Sequence, residues 1–510
     1  MTSAETVSPS PSISSSEARR AARNAGAIAV ATLLSRGMQF AWQLIFTAAL
    51  GPAVLGIYGT VSGFTQIGSS IAAFGMSPIV IRDVARHPQE AGKYLTTTLF
   101  IQTLLALVSY VILNIAAAAG GYSEAIRVFL ALSAINLIID TFGNMCFDLL
   151  LAREQMVTTS IVSVAHVIVL IILAGLGLAS GYSLFGIYAG VTVAGILRSI
   201  TLWVLSWRAD IRPVWPFDWG LAKPVLINSA PLALSAFITL AYQQVDKLVT
   251  NRLIGDSETG YLVAAFVIFF GVVELLNTTV LTAFYPLMAR SYGDGQNDQF
   301  GFIVEKLAFF TLLISLPITL VVSLFGHWLT MPIWRDNLRP AADVLSILIW
   351  YALVMMVGNN LSQALLVQNR QRRLLVIKIC GLGINLILLA LLLPRFGVHG
   401  APLSSLVAES SVFVLLLINF RAVGWDVRRI APRVFRLVLL GIATAAIMLL
   451  LRDTSWPLAL ALGLVVYSVG VFGLRVLAAD DWDLLYRLSA ALPGGKLVLR
   501  YWKRDVHVNW

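Results

Sequence analysis

Charged residues are scarce in this chain. Asp, Glu, Lys and Arg make up 12% of its 510 residues, whereas 58% are hydrophobic, and the mean hydropathy is +0.84. Soluble globular proteins carry about 25% charged residues, so this chain has too few to cover a surface that faces water. The charges that it has are concentrated in short segments between long apolar runs. This pattern is typical of a helical membrane protein, because a helix satisfies its own backbone hydrogen bonds within lipid.

Other features are also missing. The two cysteines, Cys146 and Cys380, both lie in apolar runs, which favours small core residues over a disulfide. There is no Gly-x4-Gly-Lys-Ser/Thr loop to bind phosphates, so an ATP-driven pump would need a separate ATPase. No connecting segment exceeds about thirty residues, which leaves no room for an extramembrane catalytic domain. The net charge of +10 comes from basic residues at many helix ends, which argues against nucleic acid as a partner.

Fourteen apolar runs are long enough to cross a bilayer as helices. They lie at residues 26–50, 55–81, 94–118, 125–151, 157–179, 182–207, 221–250, 259–289, 301–326, 338–367, 373–393, 399–420, 434–451 and 456–477. Of the 36 Lys and Arg residues, 27 fall in the terminal segments and the even-numbered loops, counted together with the adjoining span ends, and six fall in the odd-numbered loops counted in the same way. This asymmetry predicts that both termini are cytoplasmic. Residues 1–24 are rich in Ser, Pro and Ala without a signal-peptide core, so we predict a disordered cytoplasmic tail there.

The chain contains an internal repeat. A pair of glycines five residues apart and a nearby tyrosine follow both the first and the seventh run, as Gly51, Gly56 and Tyr58 and as Gly255, Gly260 and Tyr261. An even number of spans separates the two glycine pairs, so the repeats share one orientation, and parallel repeats typically form two lobes that flank a central cavity. We therefore predict an all-α fold with an N-lobe at 25–212, a C-lobe at 213–425, a helix pair at 426–478 outside the repeat, and a cytoplasmic or interfacial tail at 479–510.

Polar side chains within the spans are candidates for a substrate cavity. A charged group at the centre of a membrane helix costs about 2.5–3.5 kcal/mol and usually faces a cavity or a partner. The candidates are Arg36, Gln39 and Gln43 in the first span, Asn136, Asp140 and Asn144 in the fourth, Arg198 in the sixth, and Tyr242 and Asp246 in the seventh. Arg36 is the foremost, because a guanidinium matches phosphate oxygens in a forked geometry. A structural ion pair is the alternative for Arg36, and hydrogen bonding between helices is the alternative for the fourth span.

Two further carboxylates are candidates for ion coupling. Glu274 lies in the eighth span and Glu409 in the twelfth, and a carboxylate within the bilayer can carry a proton or a sodium ion. A structural role is the alternative for both. Lys247, next to Asp246, is expected to extend toward the outer interface. We predict no metal site and no resident cofactor.

Two segments of the sequence resemble a known family. Ser35-Arg36, followed by Leu50-Gly51-Pro52 and Gly56-Ile57-Tyr58, resembles the opening of the Wzx-type polysaccharide-export flippases. These belong to the multidrug/oligosaccharidyl-lipid/polysaccharide (MOP) exporter superfamily, which also contains the MATE transporters. The counterpart in the second half, Asp246-x8-Gly255-x4-Gly260-Tyr261, resembles that family's junction between spans 7 and 8. The resemblance covers residues 25–425 of the chain.

The resemblance implies a flippase that moves a polyprenyl-pyrophosphate-linked oligosaccharide across the bacterial inner membrane by alternating access. The product would serve O-antigen, capsule or exopolysaccharide assembly, and the protein would not be an enzyme. Arg36 would contact the pyrophosphate, and a proton or sodium gradient could drive the step. The implied partners are the lipid-linked oligosaccharide and membrane lipids, together with a polysaccharide polymerase and a chain-length regulator.

Part of the sequence departs from one branch of this superfamily. The related lipid II flippases have further charged residues after the Ser-Arg pair of span 1, where this chain has Gln39-Phe40-Ala41-Trp42. This difference argues against lipid II as the substrate. A MATE-like, cation-coupled drug antiporter is the alternative function. The short outer loops count against a membrane-embedded polymerase or ligase.

Overall fold

The structure, a computed structural model, describes residues 15–293, 297–334, 336–420, 427–478 and 481. This part of the chain is helical and contains no β-strand. Its α-helices are α1 (Ser15–Ala49), α2 (Pro52–Ala73), α3 (Ser77–Arg86), α4 (Ala91–Ala119), α5 (Glu124–Ala152), α6 (Met156–Ala179), α7 (Ser183–Arg208), α8 (Trp219–Ile254), α9 (Asp256–Gly293), α10 (Asn297–Trp334), α11 (Arg339–Val367), α12 (Gln371–Phe396), α13 (Gly400–Phe420), α14 (Val427–Arg452) and α15 (Trp456–Gly473). Short 3-10 turns lie at Pro88–Glu90, Asp336–Leu338 and Gly397–His399.

The predicted spans correspond one to one with the long helices. Each of the fourteen apolar runs overlaps one helix of 18 residues or more, and the run 55–81 also includes the start of the short α3. Within the described residues, twelve segments are long and apolar enough to cross a membrane, and one of these, Gln371–Asn419, contains both α12 and α13. The helix α1 is not among the twelve, since its polar residues lower its hydropathy. The prediction of an all-α, multi-pass membrane protein is confirmed.

The structure differs from the sequence prediction at the start of the first span and near the end of the second span. Helix α1 begins at Ser15, so residues 15–24 of the predicted disordered tail are helical. Ala and Arg are good helix formers and dominate that stretch. The predicted run 55–81 is interrupted between α2 and α3. Phe74 and Gly75 have φ angles of 47° and 61°, and left-handed residues of this kind end helices.

The described helices form two compact units, a first that ends at Val267 and a second that begins at Ile268, and this division differs from the predicted lobes. Helix α8 and the first part of α9 pack with the first unit. The predicted lobe limits follow the sequence repeat rather than compactness, and they stay a prediction. In the first unit, Leu95, Leu149 and Leu202 are fully buried in one apolar cluster that joins α4, α5 and α7.

Within the second unit, α14 and α15 pack on α10. Leu437 and Tyr467 share a buried cluster with Phe309, and the Tyr467 hydroxyl donates to the carbonyl of Leu313 at 2.7 Å. A Cβ on Gly470 would clash with Leu440, so the small residue allows α14 and α15 to approach closely. The predicted C-terminal helix pair is thus a packed part of the second unit.

A close contact between α2 and α9 explains why both copies of the repeat have glycine. Within the first unit, a Cβ on Gly56 of α2 would collide with the carbonyl of Asp256, and a Cβ on Gly260 of α9 would collide with the carbonyl of Pro52. Residues 52 and 56 each precede their counterparts by 204 positions, so the two contacts are reciprocal. Only glycine allows the two helices to approach this closely.

Candidate substrate site

Arg198 on α7 reaches the polar stripe on α5. Its Nη2 donates to Oδ1 of Asn144 at 2.8 Å, and its Nη1 lies 4.0 Å from Oδ1 of Asp140. The helices are close here because Gly143 has no side chain, and a Cβ at that position would lie 2.7 Å from Oγ of Ser199. The structure therefore brings together three predicted site residues from two helices, and we call them the Arg198 cluster.

The Arg198 cluster is partly enclosed by protein. The Arg198 side chain is 14% exposed and that of Asp140 is 48% exposed, so the carboxylate is the more accessible group. The guanidinium carbon lies 5.9 Å from the ring centroid of Phe147. Asp148 of α5 and His166 of α6 are further ionisable residues near Arg198. The cluster offers a guanidinium that donates, and carboxylate and amide oxygens that accept, which suits a polar ligand rich in hydroxyl groups.

The polar stripe of α5 continues beyond the cluster on both sides. Asn136 lies one turn before Asp140 and is 9% exposed, and its Oδ1 accepts no hydrogen bond within the described residues. Asp148 lies one turn after Asn144 and is 7% exposed. The spacing of four residues keeps these side chains on one face of the helix.

The predicted residues of the first span lie on exposed positions of α1. These are Arg36, Gln39 and Gln43. The helix packs on α6 within the first unit, where a Cβ on Gly175 would lie 3.6 Å from the Trp42 ring. Their assignment to a substrate cavity stays a prediction.

On α8, both predicted site residues are buried. Tyr242 is 5% exposed and Asp246 is 3% exposed. A third polar residue of the same helix, Gln244, donates from Nε2 to Oε1 of Gln66 on α2 at 3.0 Å. Gln244 of α8 is therefore held against α2 within the first unit.

The expectation for Lys247 is wrong. It does not extend toward the outer interface but is buried, with 7% of its surface exposed. Its Nζ donates to Oε1 of Gln244 at 2.8 Å and lies 5.2 Å from the ring centroid of Phe266 on α9. An ammonium group can be kept within the protein when a hydrogen bond and a ring face replace part of its hydration.

The two candidate coupling residues differ in their surroundings. Glu409 on α13 is 1% exposed, and its Oε1 lies 3.6 Å from Nζ of Lys378 on α12. A Cβ on Gly358 of α11 would lie 3.6 Å from the same oxygen. Glu274 is exposed on α9. The ion pair with Lys378 was not predicted, because it joins two different helices.

A second buried ion cluster lies in the second unit and was missed at the sequence level. Asp481 is fully buried and forms an ion pair with Lys306 of α10, which is 2% exposed. Nη1 of Arg433 on α14 lies 3.6 Å from the other carboxylate oxygen, which also accepts from the backbone N–H of Ala478 at 2.7 Å. The sequence separation of 175 residues between Lys306 and Asp481 gives no local signal for this contact.

Only one of the two cysteines takes the position expected of it. Cys146 is buried in the core of the first unit, whereas Cys380 is exposed on α12 and is not a core residue. Among the described residues, no group of three or more His, Cys, Asp and Glu side chains is placed to hold a metal ion.

The fold is that of transporters of the MOP superfamily. The structure of the lipid II flippase MurJ in an inward closed conformation is similar, with a TM-score of 0.72 and 13% identity over 88% of this chain and 98% of that one. An inward-facing multidrug resistance MATE transporter has a TM-score of 0.60 and 14% identity, over 76% of this chain and 94% of that one. A MOP transporter from Pyrococcus furiosus has a TM-score of 0.56 and 14% identity, over 78% of this chain and 96% of that one.

Sequence comparison identifies the family. The family model described as polysaccharide biosynthesis protein matches residues 21–292, which is more than half of the chain. The chain therefore belongs to the polysaccharide biosynthesis protein family, and the family predicted from its motifs is confirmed. The MatE family model matches residues 231–391. No curated protein matches this chain.

Proposed function

We propose that this protein is a flippase that moves a polyprenyl-diphosphate-linked oligosaccharide across the membrane for surface polysaccharide synthesis. The Arg198 cluster carries the proposal, because charged groups within membrane helices are expensive and mark substrate pathways. Family membership at residues 21–292 and the fold shared with the lipid II flippase MurJ support it. The protein would work by alternating access and without catalysis.

The cluster has the chemistry that a sugar phosphate requires. A guanidinium has five N–H donors, and Arg198 uses two of its nitrogens toward Asn144 and Asp140. Other donors of this group could bind a phosphate or a sugar hydroxyl. The half-exposed Asp140 carboxylate could accept from hydroxyl groups. Arg36 remains our candidate for the diphosphate itself, since a guanidinium matches phosphate oxygens.

The proposed setting is the bacterial inner membrane, with both termini in the cytoplasm. The excess of Lys and Arg in the even-numbered loops supports this orientation. The flipped product would pass to a polysaccharide polymerase whose product length a chain-length regulator controls. Glu274 and Glu409 are our candidates for coupling to a proton or sodium gradient.

The test measures flipping directly. The purified chain is reconstituted in liposomes with a lipid-linked oligosaccharide, and the fraction that an added glycosidase can reach is followed over time. We expect accessible substrate to rise faster than in protein-free liposomes, and we expect cells without the gene to lose surface polysaccharide. A normal polysaccharide level in those cells, with no flipping in liposomes, would overturn the proposal.

A drug antiporter is the second candidate. The MatE match over residues 231–391 and the likeness to a multidrug resistance MATE transporter favour it. Its test is the gradient-driven uptake of a cationic dye into inverted membrane vesicles. Dye uptake together with unchanged surface polysaccharide would favour the antiporter over the flippase.

A further inference from the structure

An apolar groove runs along the contact between α5 and α7, in the first unit. Its volume is about 790 Å³, and its walls include Phe142 of α5 and Ile196, Ile200 and Val204 of α7. The three α7 residues are 40%, 56% and 47% exposed and recur every four positions, so they form one continuous face. This groove is separate from the Arg198 cluster, which involves the adjacent face of α7.

The length of the groove along α7 is similar to the thickness of one membrane leaflet. From Ile196 to Arg208 the helix advances twelve residues, or about 18 Å at 1.5 Å per residue. The hydrocarbon core of a bilayer is about 30 Å thick, so one leaflet contributes about 15 Å. The groove therefore extends from the C-terminal end of α7 to about the middle of the membrane.

The end of the groove is cationic. Arg208 is the last residue of α7 and borders the groove. It is exposed, and it forms no ion pair or hydrogen bond through its side chain in the described residues. Trp203 and Trp207 also line this end, and tryptophan is enriched where a membrane protein meets lipid headgroups. A cation and interfacial aromatics at one end of an apolar groove match an anionic amphiphile.

We propose that this groove is a binding site for one anionic phospholipid, with an acyl chain along α7 and the phosphate on Arg208. A fatty acyl chain fits the depth of one leaflet, whereas a polyprenyl chain is several times longer than the groove. A phosphodiester carries one negative charge, which the single guanidinium matches. The bound lipid would contact both α5 and α7 and so support the helix contact on which the Arg198 cluster depends. The site does not require the proposed transport function.

Native mass spectrometry of the purified full-length protein tests the charge contact. The probes are phosphatidylglycerol, phosphatidylcholine and a polyprenyl phosphate, each titrated over the same range of concentrations. We expect phosphatidylglycerol to bind most tightly, and Arg208→Ala to weaken it about five-fold, as for one basic residue near an anionic lipid surface. The matched control is Arg212→Ala, which removes an exposed arginine that pairs with Asp210 at 3.4 Å outside the groove.

A second pair of variants tests the apolar part. Ile200→Trp fills the middle of the groove, while Ile172→Trp adds the same ring at a 54% exposed position of α6 that does not line it. We expect only the first to reduce the number of retained phosphatidylglycerol molecules by one, with thermal unfolding unchanged for both. The proposal is overturned if Arg208→Ala binds like wild type, if both tryptophan variants behave alike, or if the polyprenyl phosphate displaces phosphatidylglycerol.

Discussion

Arg198 lies within a membrane helix, and its guanidinium contacts polar side chains of a second helix. Its contact with Asn144 has the distance of a strong hydrogen bond, while the 4.0 Å separation from Asp140 is the limit of an ion pair. Because Asp140 is half-exposed, its negative charge is available to a ligand as well as to Arg198. A residue in this position can exchange one partner for another when a substrate arrives.

We predict that Arg198→Ala reduces flipping by at least ten-fold, since it removes the donor group of the cluster, and that Arg198→Lys retains part of the activity. A lysine keeps the charge but not the forked geometry. The measurement is the initial flipping rate in liposomes, normalised to reconstituted protein. Arg212→Ala is the control, because that exposed arginine lies outside the spanning helices. Wild-type flipping in Arg198→Ala would remove the cluster from the substrate pathway.

Asp481 is a second charged residue, and the residues that pair with it are distant in the sequence. We predict that Asp481→Asn lowers thermal stability, because it leaves Lys306 buried without its carboxylate, and breaking such a pair costs about 3–5 kcal/mol. Thermal unfolding in detergent measures the effect. As a control, Asp453→Asn removes an 86% exposed carboxylate paired with Arg452, and an exposed pair contributes about 0–1 kcal/mol. Equal melting temperatures for the two variants would contradict this role.

At the scale of helices, α2 and the first part of α9 depend on glycine for their contact. We predict that Gly56→Ala and Gly260→Ala each destabilise the protein by about 1–3 kcal/mol, the usual effect of overpacking, because each Cβ would meet a backbone carbonyl. The control is Gly383→Ala on α12, where a Cβ has nothing within 4 Å. Thermal unfolding should therefore show losses at the two repeated glycines and none at Gly383. The same melting temperature for all three variants would contradict this prediction.

Helices are also the scale at which the sequence was most informative. Apolar runs and turn residues are local signals, so the existence and order of the spanning helices could be predicted, although several helix ends lie seven or more residues from the predicted limits. The neighbours of a given helix face are not a local property. Lys247 was expected to extend outward because long basic side chains commonly reach the membrane interface, whereas its Nζ lies against the ring of Phe266 on α9. The Arg198–Asn144 contact likewise joins residues 54 positions apart. Its members were predicted as candidates, but their partnership was not.

At the scale of the whole molecule, transport requires an energy source. Glu409 of α13 is buried within the second unit, and its partner Lys378 of α12 is 21% exposed, so a proton or a sodium ion at Glu409 would change the charge balance between these two helices. Our proposal that Glu409 couples transport to an ion gradient rests on this pair.

We predict that flipping in liposomes depends on a proton or sodium gradient and that Glu409→Gln abolishes this dependence. The amide keeps the shape of the side chain but cannot exchange a charge. Glu124→Gln is the control, because that exposed carboxylate lies at the start of α5. The rate is measured with and without an imposed gradient. Equal rates under both conditions in the wild-type protein would exclude coupling.

The reciprocal contact of Gly56 with Asp256, and of Gly260 with Pro52, has the pattern of an interface between two identical subunits. In a two-fold dimer, residue i of one copy meets residue j of the other, and j meets i in return. Here both copies are on one chain, 204 residues apart. The contact is therefore what gene duplication and fusion would leave from a homodimeric ancestor. Insertion of a single residue between Pro52 and Gly56 would disturb both halves of the contact, so the two halves must change together.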